Sequence, residues 1–171
     1  KECLIQSEYM SEGDREAFLA RFEGNEDCDL DASICMDIEI EEEKTLIAFC
    51  VLGGIFSEGI DLKEDSLIGA IIVGTGIPQV CYERELLKKY FNDSGQNGFD
   101  YAYRYPGLNK VLQAAGRVIR TEADIGVVAL LDERFLQYAY LRMFPREWAN
   151  FERVSYSSIS RRVERFWDSW L

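Results

Sequence analysis

Histidine is absent from the chain, which removes Ser–His and Cys–His nucleophilic chemistry and the commonest metal ligand in one step. The five cysteines, Cys3, Cys28, Cys35, Cys50 and Cys81, form no C-x-x-C pair. An odd, scattered set argues against both a disulfide framework and a zinc site, and no metal site is expected; a reduced, cytoplasmic setting is the natural inference. Cys50, inside an apolar run, reads as a buried thiol. No stretch approaches the roughly 18 consecutive apolar residues that a membrane span needs, and the N-terminus has no signal-peptide pattern. There is no G-x-x-x-x-G-K-[ST] phosphate loop and no D-E-A-H-type acidic box, so the chain cannot by itself hold a magnesium-bound nucleotide or position water against one.

What is present fits one domain, residues 1–171, with a real core: 171 residues, 47% hydrophobic and 13% aromatic. The start at Lys1, without methionine, reads as a piece of a longer protein. Net charge is −12, which opposes a nucleic-acid partner only if it is evenly spread. It is not. Residues 23–43 carry ten Asp and Glu and no Lys or Arg, so the remainder nets only −2. Residues 23–43 read as an exposed acidic loop or insertion, although Ile34, Met36, Ile38 and Ile40 alternate and could pair as an edge strand.

Along the chain, Cys3 to Gln6 reads as a short strand. Ser11 caps a helix over 12–22 that carries Ala17, Phe18, Leu19 and Phe22. Three continuous apolar runs, Thr45–Leu52, Leu67–Val73 and Ile125–Leu131, suit strands buried on both faces. Helical stretches at 82–92 and 107–120 lie between them. The pattern predicts an α/β layered domain with a mostly parallel central sheet flanked by helices. The segment 159–171 puts Ile159, Val163, Phe166, Trp167 and Trp170 on one helical stripe. This stripe is expected to close the domain's own core, with a partner surface flanked by Arg161, Arg162 and Arg165 as the alternative.

Two constellations carry chemistry. In Gln113–Arg120 (Q-A-A-G-R-V-I-R), a helix would bury Leu108, Leu112, Ala115 and Ile119 and project Gln113, Arg117 and Arg120 together from another face. Gly116 would leave room beside them for a close approach. Paired guanidiniums suit phosphate oxygens, though a solvated helix face would read the same way. In Gly53–Leu62 (G-G-I-F-S-E-G-I-D-L), three glycines and Ser57, Glu58 and Asp61 follow a predicted strand, where open α/β sheets place ligands. The carboxylates there suit ribose hydroxyls or a water; a structural turn is the alternative.

Together these stretches resemble the second RecA-like domain of superfamily 2 helicases of the DinG/XPD kind. Val51–Leu62 matches that family's motif V, and Gln113–Arg120 its motif VI. The segments Ile71–Gln79, Tyr101–Val111 and Asp124–Phe135 also fit. The resemblance runs from Thr45 to Trp148, and weakly back to Leu4.

The resemblance implies an ATP-dependent DNA helicase in which Arg120 and Arg117 are arginine fingers reaching the γ-phosphate. Gln113 would sit by the same phosphate or its attacking water. Asp61 would lie near the ribose, and Glu58 and Gly59 would couple that site to the DNA strand, with Ser57 alongside. Tyr103, Arg104 and Tyr105 mix aromatics with a cation as a single-stranded DNA track would; core aromatics beside a surface arginine are the competing reading. ATP and Mg2+ would be held mainly by the first RecA-like domain of the same chain. An iron–sulfur cluster, where the family has one, lies in that half and not in this segment. Movement along DNA would be 5′ to 3′. A helicase-derived adaptor without catalysis is the alternative function.

Overall fold

The computed structural model describes residues 2–7, 9–23, 45–54, 56, 67–119, 121 and 123–170. The acidic segment 24–44 and most of the loop around Asp61 lie outside them, and so does the edge-strand alternative.

The expected strands form where the apolar runs stand. Strand β1 (Glu2–Ile5) pairs in parallel with β2 (Leu46–Phe49), Glu2 opposite Leu46 and Ile5 opposite Phe49. Strand β3 (Gly69–Val73) pairs in parallel with β4 (Val127–Leu131), Gly69 opposite Val127. Among the described residues the pairing gives two separate two-stranded ladders instead of one continuous sheet.

Helix α1 (Glu12–Glu23) lies between β1 and β2 in sequence. It starts on a reciprocal cap, in which the Asp14 amide donates to Ser11 Oγ and the Ser11 amide to Asp14 Oδ2. The Ser11 hydroxyl also donates to this carboxylate, and these bonds hold the Asp14 carboxyl below its ordinary pKa. Phe18 of α1 stacks on Phe56 at 4.3 Å, and Leu4, Ala48 and Leu67 pack around the pair.

The larger core centres on α3 (Tyr105–Ala115), which follows α2 (Tyr82–Asp93) and a π-helical turn at Asp100–Arg104. Leu108, Val111 and Ala115 fall on one face and pack with Ile72 of β3, while Phe135 and Tyr140 close the far side. Burying Leu108 and Val111 fully contributes about 1.5–3 kcal/mol each. Tyr140 belongs to α4 (Tyr138–Leu141), a short helix after β4.

Three expectations about burial are corrected. The runs that form β2 and β3 are covered on one face only: Ile71 and Val73 remain 72% and 73% exposed, and Phe49 and Val51 are exposed as well, whereas Ile125–Leu130 is half-buried throughout. Cys50, immediately after β2, is also exposed, although partial desolvation pushes its thiol up from the ordinary value. The terminal helix α5 (Ile159–Asp168) forms on schedule but buries none of its residues. Phe166 instead packs on Trp167 and Trp170, within its own segment.

Thr75, just beyond β3, is buried with no partner for its hydroxyl among the described residues. Replacing that hydroxyl with a methyl removes an unmet desolvation cost. Thr75→Val is expected to leave stability unchanged or raise it by about 1 kcal/mol in urea unfolding.

Candidate functional site

The site is built where the chain leaves β2 and β3 and meets α3. Beyond β2, Val51–Gly54 forms a tight turn in which the Gly54 amide donates to the Val51 carbonyl at 2.9 Å. Gly53 occupies the turn's third position at φ 77°, a conformation that side chains other than glycine disfavour. The Val51 amide donates to Gln6 Oε1 at 2.8 Å, which ties the turn's first residue to the end of β1. Beyond β3, Gly76 is also left-handed, at φ 66°. A Cβ on it would stand 2.5 Å from the Gly107 carbonyl and 3.2 Å from Leu52 Cδ2. The ends of both strands and the first turn of α3 therefore converge at backbone-contact distance.

The second half of the site lies at the other end of α3. Gln113 is exposed, Arg117 is half-buried, and Gly116 caps the helix between them. The helix stops at Ala115, where a longer one was expected. The Arg117 and Val118 amides donate to carbonyls only three residues back, Ala114 and Ala115, so the last turn tightens and the α-helical phase is lost. This changes which residue faces inward. Val118 is buried at 4% exposure and Ile119, expected in the core stripe, is 49% exposed. Gly126 makes room for the change, since a Cβ there would stand 2.3 Å from Val118 Cγ1. Arg117 thus projects from a turn and not from the helical face it was expected to share with Gln113.

Arg120, Ser57, Glu58, Gly59 and Asp61 lie outside the described residues. The described motif VI side chains at this end of α3, the Gln113 amide and the Arg117 guanidinium, carry hydrogen-bond donors of the kind that suits an anionic phosphate.

Tyr103 and Arg104 are placed inside the fold. Tyr103 is 3% exposed, and its hydroxyl donates to Glu85 Oε1 at 2.7 Å. That bond to a carboxylate pushes the phenol up to about 12 and holds Glu85 below its ordinary value. Arg104 pairs through Nη1 with the buried Asp100, and its guanidinium carbon lies 5.2 Å from the Phe99 ring centroid and 5.4 Å from that of Tyr140. Arg142 Nη2 reaches the other Asp100 oxygen at 3.1 Å. A ring with no open face cannot take a stacked base, and a guanidinium held against a buried carboxylate is not available to a DNA phosphate. Tyr103 thus takes the core position of the competing reading, while Arg104, with its side chain 16% exposed, is not the surface arginine of that reading either.

Sequence reasoning passed over Lys110. It lies three residues before Gln113 on α3, and its side chain runs across Gly53. The i, i+3 spacing was its only signal.

The model of the family described as "Helicase C-terminal domain" matches residues 1–151. The chain belongs to that family. As a helicase C-terminal domain it is 33% identical, over 132 residues, to a regulator of telomere elongation helicase 1 homolog of Caenorhabditis briggsae; the match covers 71% of this chain and 13% of that protein. It is 36% identical over 103 residues to the ATP-dependent DNA helicase DinG of Photobacterium profundum, covering 59% of this chain and 15% of that one. Among solved structures, an XPD helicase superposes with a TM-score of 0.56 at 21% identity, over 82% of this chain and 22% of the other. The parallel strands and intervening helices are thus those of an α/β, RecA-like fold of the DinG/XPD type. The chain spans less than a quarter of the length of each of these relatives. Helix α5 falls beyond the part of the helicase C-terminal domain that the family model matches. Among the described residues no helix is long and apolar enough to cross a membrane.

Proposed function

We propose that this helicase C-terminal domain is the second motor half of an ATP-dependent DNA helicase, working against a first RecA-like domain of the same chain. The observation that carries the reading is the convergence on α3: the turn after β2, which opens motif V, abuts the helix whose end carries Gln113 and Arg117 of motif VI. One rigid helix then links the loop that would feel the DNA to the residues that would feel the nucleotide.

In this reading Mg-ATP, held chiefly by the first domain, supplies the γ-phosphoryl group. Arg120 and Arg117 approach it across the cleft and neutralise the charge that develops on its oxygens. Gln113 orients the phosphate or the attacking water. Asp61 faces the ribose, while Glu58, Gly59 and Ser57 pass the state of that site to a single-stranded DNA segment. Opening and closing the cleft with differential grip on the strand converts turnover into translocation.

The test compares DNA-stimulated ATP hydrolysis by the complete parent chain and by this domain alone. Turnover by the parent and negligible turnover by the domain is the expected result, because an arginine finger needs a nucleotide bound opposite it. Sustained hydrolysis by the domain alone, or none by the parent, would overturn the proposal, the second outcome favouring an adaptor.

A further inference from the structure

We infer that Lys110 is a phosphate-binding residue of this domain, presenting its ammonium at the turn after β2; the inference rests on the motor reading above.

The geometry begins with Gly53. A Cβ built on it would stand 2.7 Å from Lys110 Cδ and 2.9 Å from both Cε and Nζ. The outer half of the lysine side chain therefore lies directly on the glycine, and any larger residue would displace it. Gly53 meets two demands, the left-handed turn and the space for this side chain.

The residue is half-covered, and among the described residues its head meets no counter-charge. Lys110 is half-buried, and no carboxylate among the described residues forms an ion pair with it. A partly desolvated ammonium without a counter-charge is unfavourable. If packing over Gly53 were its whole role, an unbranched apolar chain would fill the space without that cost. An anion arriving at the turn recovers the cost, and lysine is a common point-charge ligand for phosphate.

Position gives the phosphate its context. Lys110 and Gln113 are i and i+3 on α3, one face of the helix and about 4.5 Å apart along its axis. Tyr105–Ala115 contains no other cation. The ammonium thus lies between the turn that opens motif V and the end of α3 that carries Gln113 and Arg117. Two phosphates can reach such a place: the backbone of a single strand following the motif V loop, or a nucleotide phosphate in the cleft. The chemistry at Lys110 is the same for both.

The experiment uses the complete parent chain with Lys110→Met, Lys110→Ala and Lys110→Arg. Methionine keeps an unbranched stem over Gly53 and removes only the charge. Two readouts are taken: the Kd for oligo-dT across a salt titration, and the KM for ATP at saturating DNA. If Lys110 holds a strand phosphate, Lys110→Met raises the oligo-dT Kd about five- to tenfold and lowers the salt slope by about 0.7, the value for one single-strand phosphate contact; KM for ATP stays put. If it holds a nucleotide phosphate, KM for ATP rises by a similar factor and the salt slope is unchanged. In both cases Lys110→Arg retains most of the wild-type behaviour.

Wild-type Kd, salt slope and KM in Lys110→Met would overturn the inference while an active wild-type parent leaves the motor reading intact. Impairment confined to Lys110→Ala would overturn it too, since that pattern marks packing. A wild-type parent that neither binds oligo-dT nor hydrolyses ATP would sink the motor reading and this inference with it.

Discussion

Arg120→Ala in the complete parent chain is expected to lower DNA-stimulated ATP turnover on the order of 10³-fold or more, with nucleotide affinity largely kept. The size follows from what an arginine finger does: it meets charge that appears only as the γ-phosphoryl group transfers, so its loss falls on turnover and not on ground-state binding. Most nucleotide contacts belong to the other motor domain in this reading, which is why affinity survives. Arg117→Ala is expected to cost less, because Arg117 leaves α3 at the tightened turn and is half-buried there. Steady-state ATPase and fluorescent-nucleotide titration on the same preparations check both halves of the expectation. Equal turnover by Arg120→Ala and wild type would make Arg120 structural and remove the site assignment.

The second large effect concerns stability. Asp100 is buried and is the only carboxylate among the described residues that faces Arg104, whose side chain is itself largely covered. Asp100→Ala is expected to destabilise the domain by about 3–5 kcal/mol, because it leaves a guanidinium inside without a counter-charge. Arg104→Met should cost less: Asp100 keeps Arg142, and a methionine chain can occupy the place between Phe99 and Tyr140. The double replacement Asp100→Leu with Arg104→Met should recover much of the loss, since exchanging a buried pair for apolar groups is often close to neutral. Urea unfolding followed by tryptophan fluorescence measures all three. An Asp100→Ala effect under about 1 kcal/mol would mean that water reaches Arg104.

How far the sequence could be read depends on what each signal measures. Apolar runs located the four strands among the described residues, and Ser11 located the start of α1, because both signals are local. The runs could not say how many layers cover them. Ile71 and Val73 are apolar like their neighbours yet face outward, and that depends on what packs from elsewhere. The end of α3 was missed for a similar reason. Residues 107–120 keep a helical apolar stripe through Ile119, and only the space at Gly126, brought in by β4, draws Val118 inward instead. Tyr103 and Arg104 were misplaced because composition cannot tell a stacking platform from a core; their partners, Glu85 and Asp100, settle the matter. Lys110 has no pattern of its own, and its importance comes from a glycine 57 positions earlier. Motifs V and VI were the most legible part of the site, although Arg120 and the Ser57–Asp61 stretch lie outside the described residues.

The π-helical turn at Asp100–Arg104 works as a phase adaptor. Each residue of an α-helix turns the chain by about 100°, so a regular helix fixes the angle between anything its start touches and anything its end touches. The wide turn breaks that constraint. From within the turn, Tyr101 stacks on Phe91 at 3.9 Å and Tyr103 reaches Glu85, both partners lying on α2. Downstream, Leu108 and Val111 are aimed at β3 and the residues beyond β4. The heading of Lys110 and Gln113 is therefore set by a slipped tooth in a gear: one residue added or removed at 100–104 would turn α2 and the Gln113 end of α3 relative to one another.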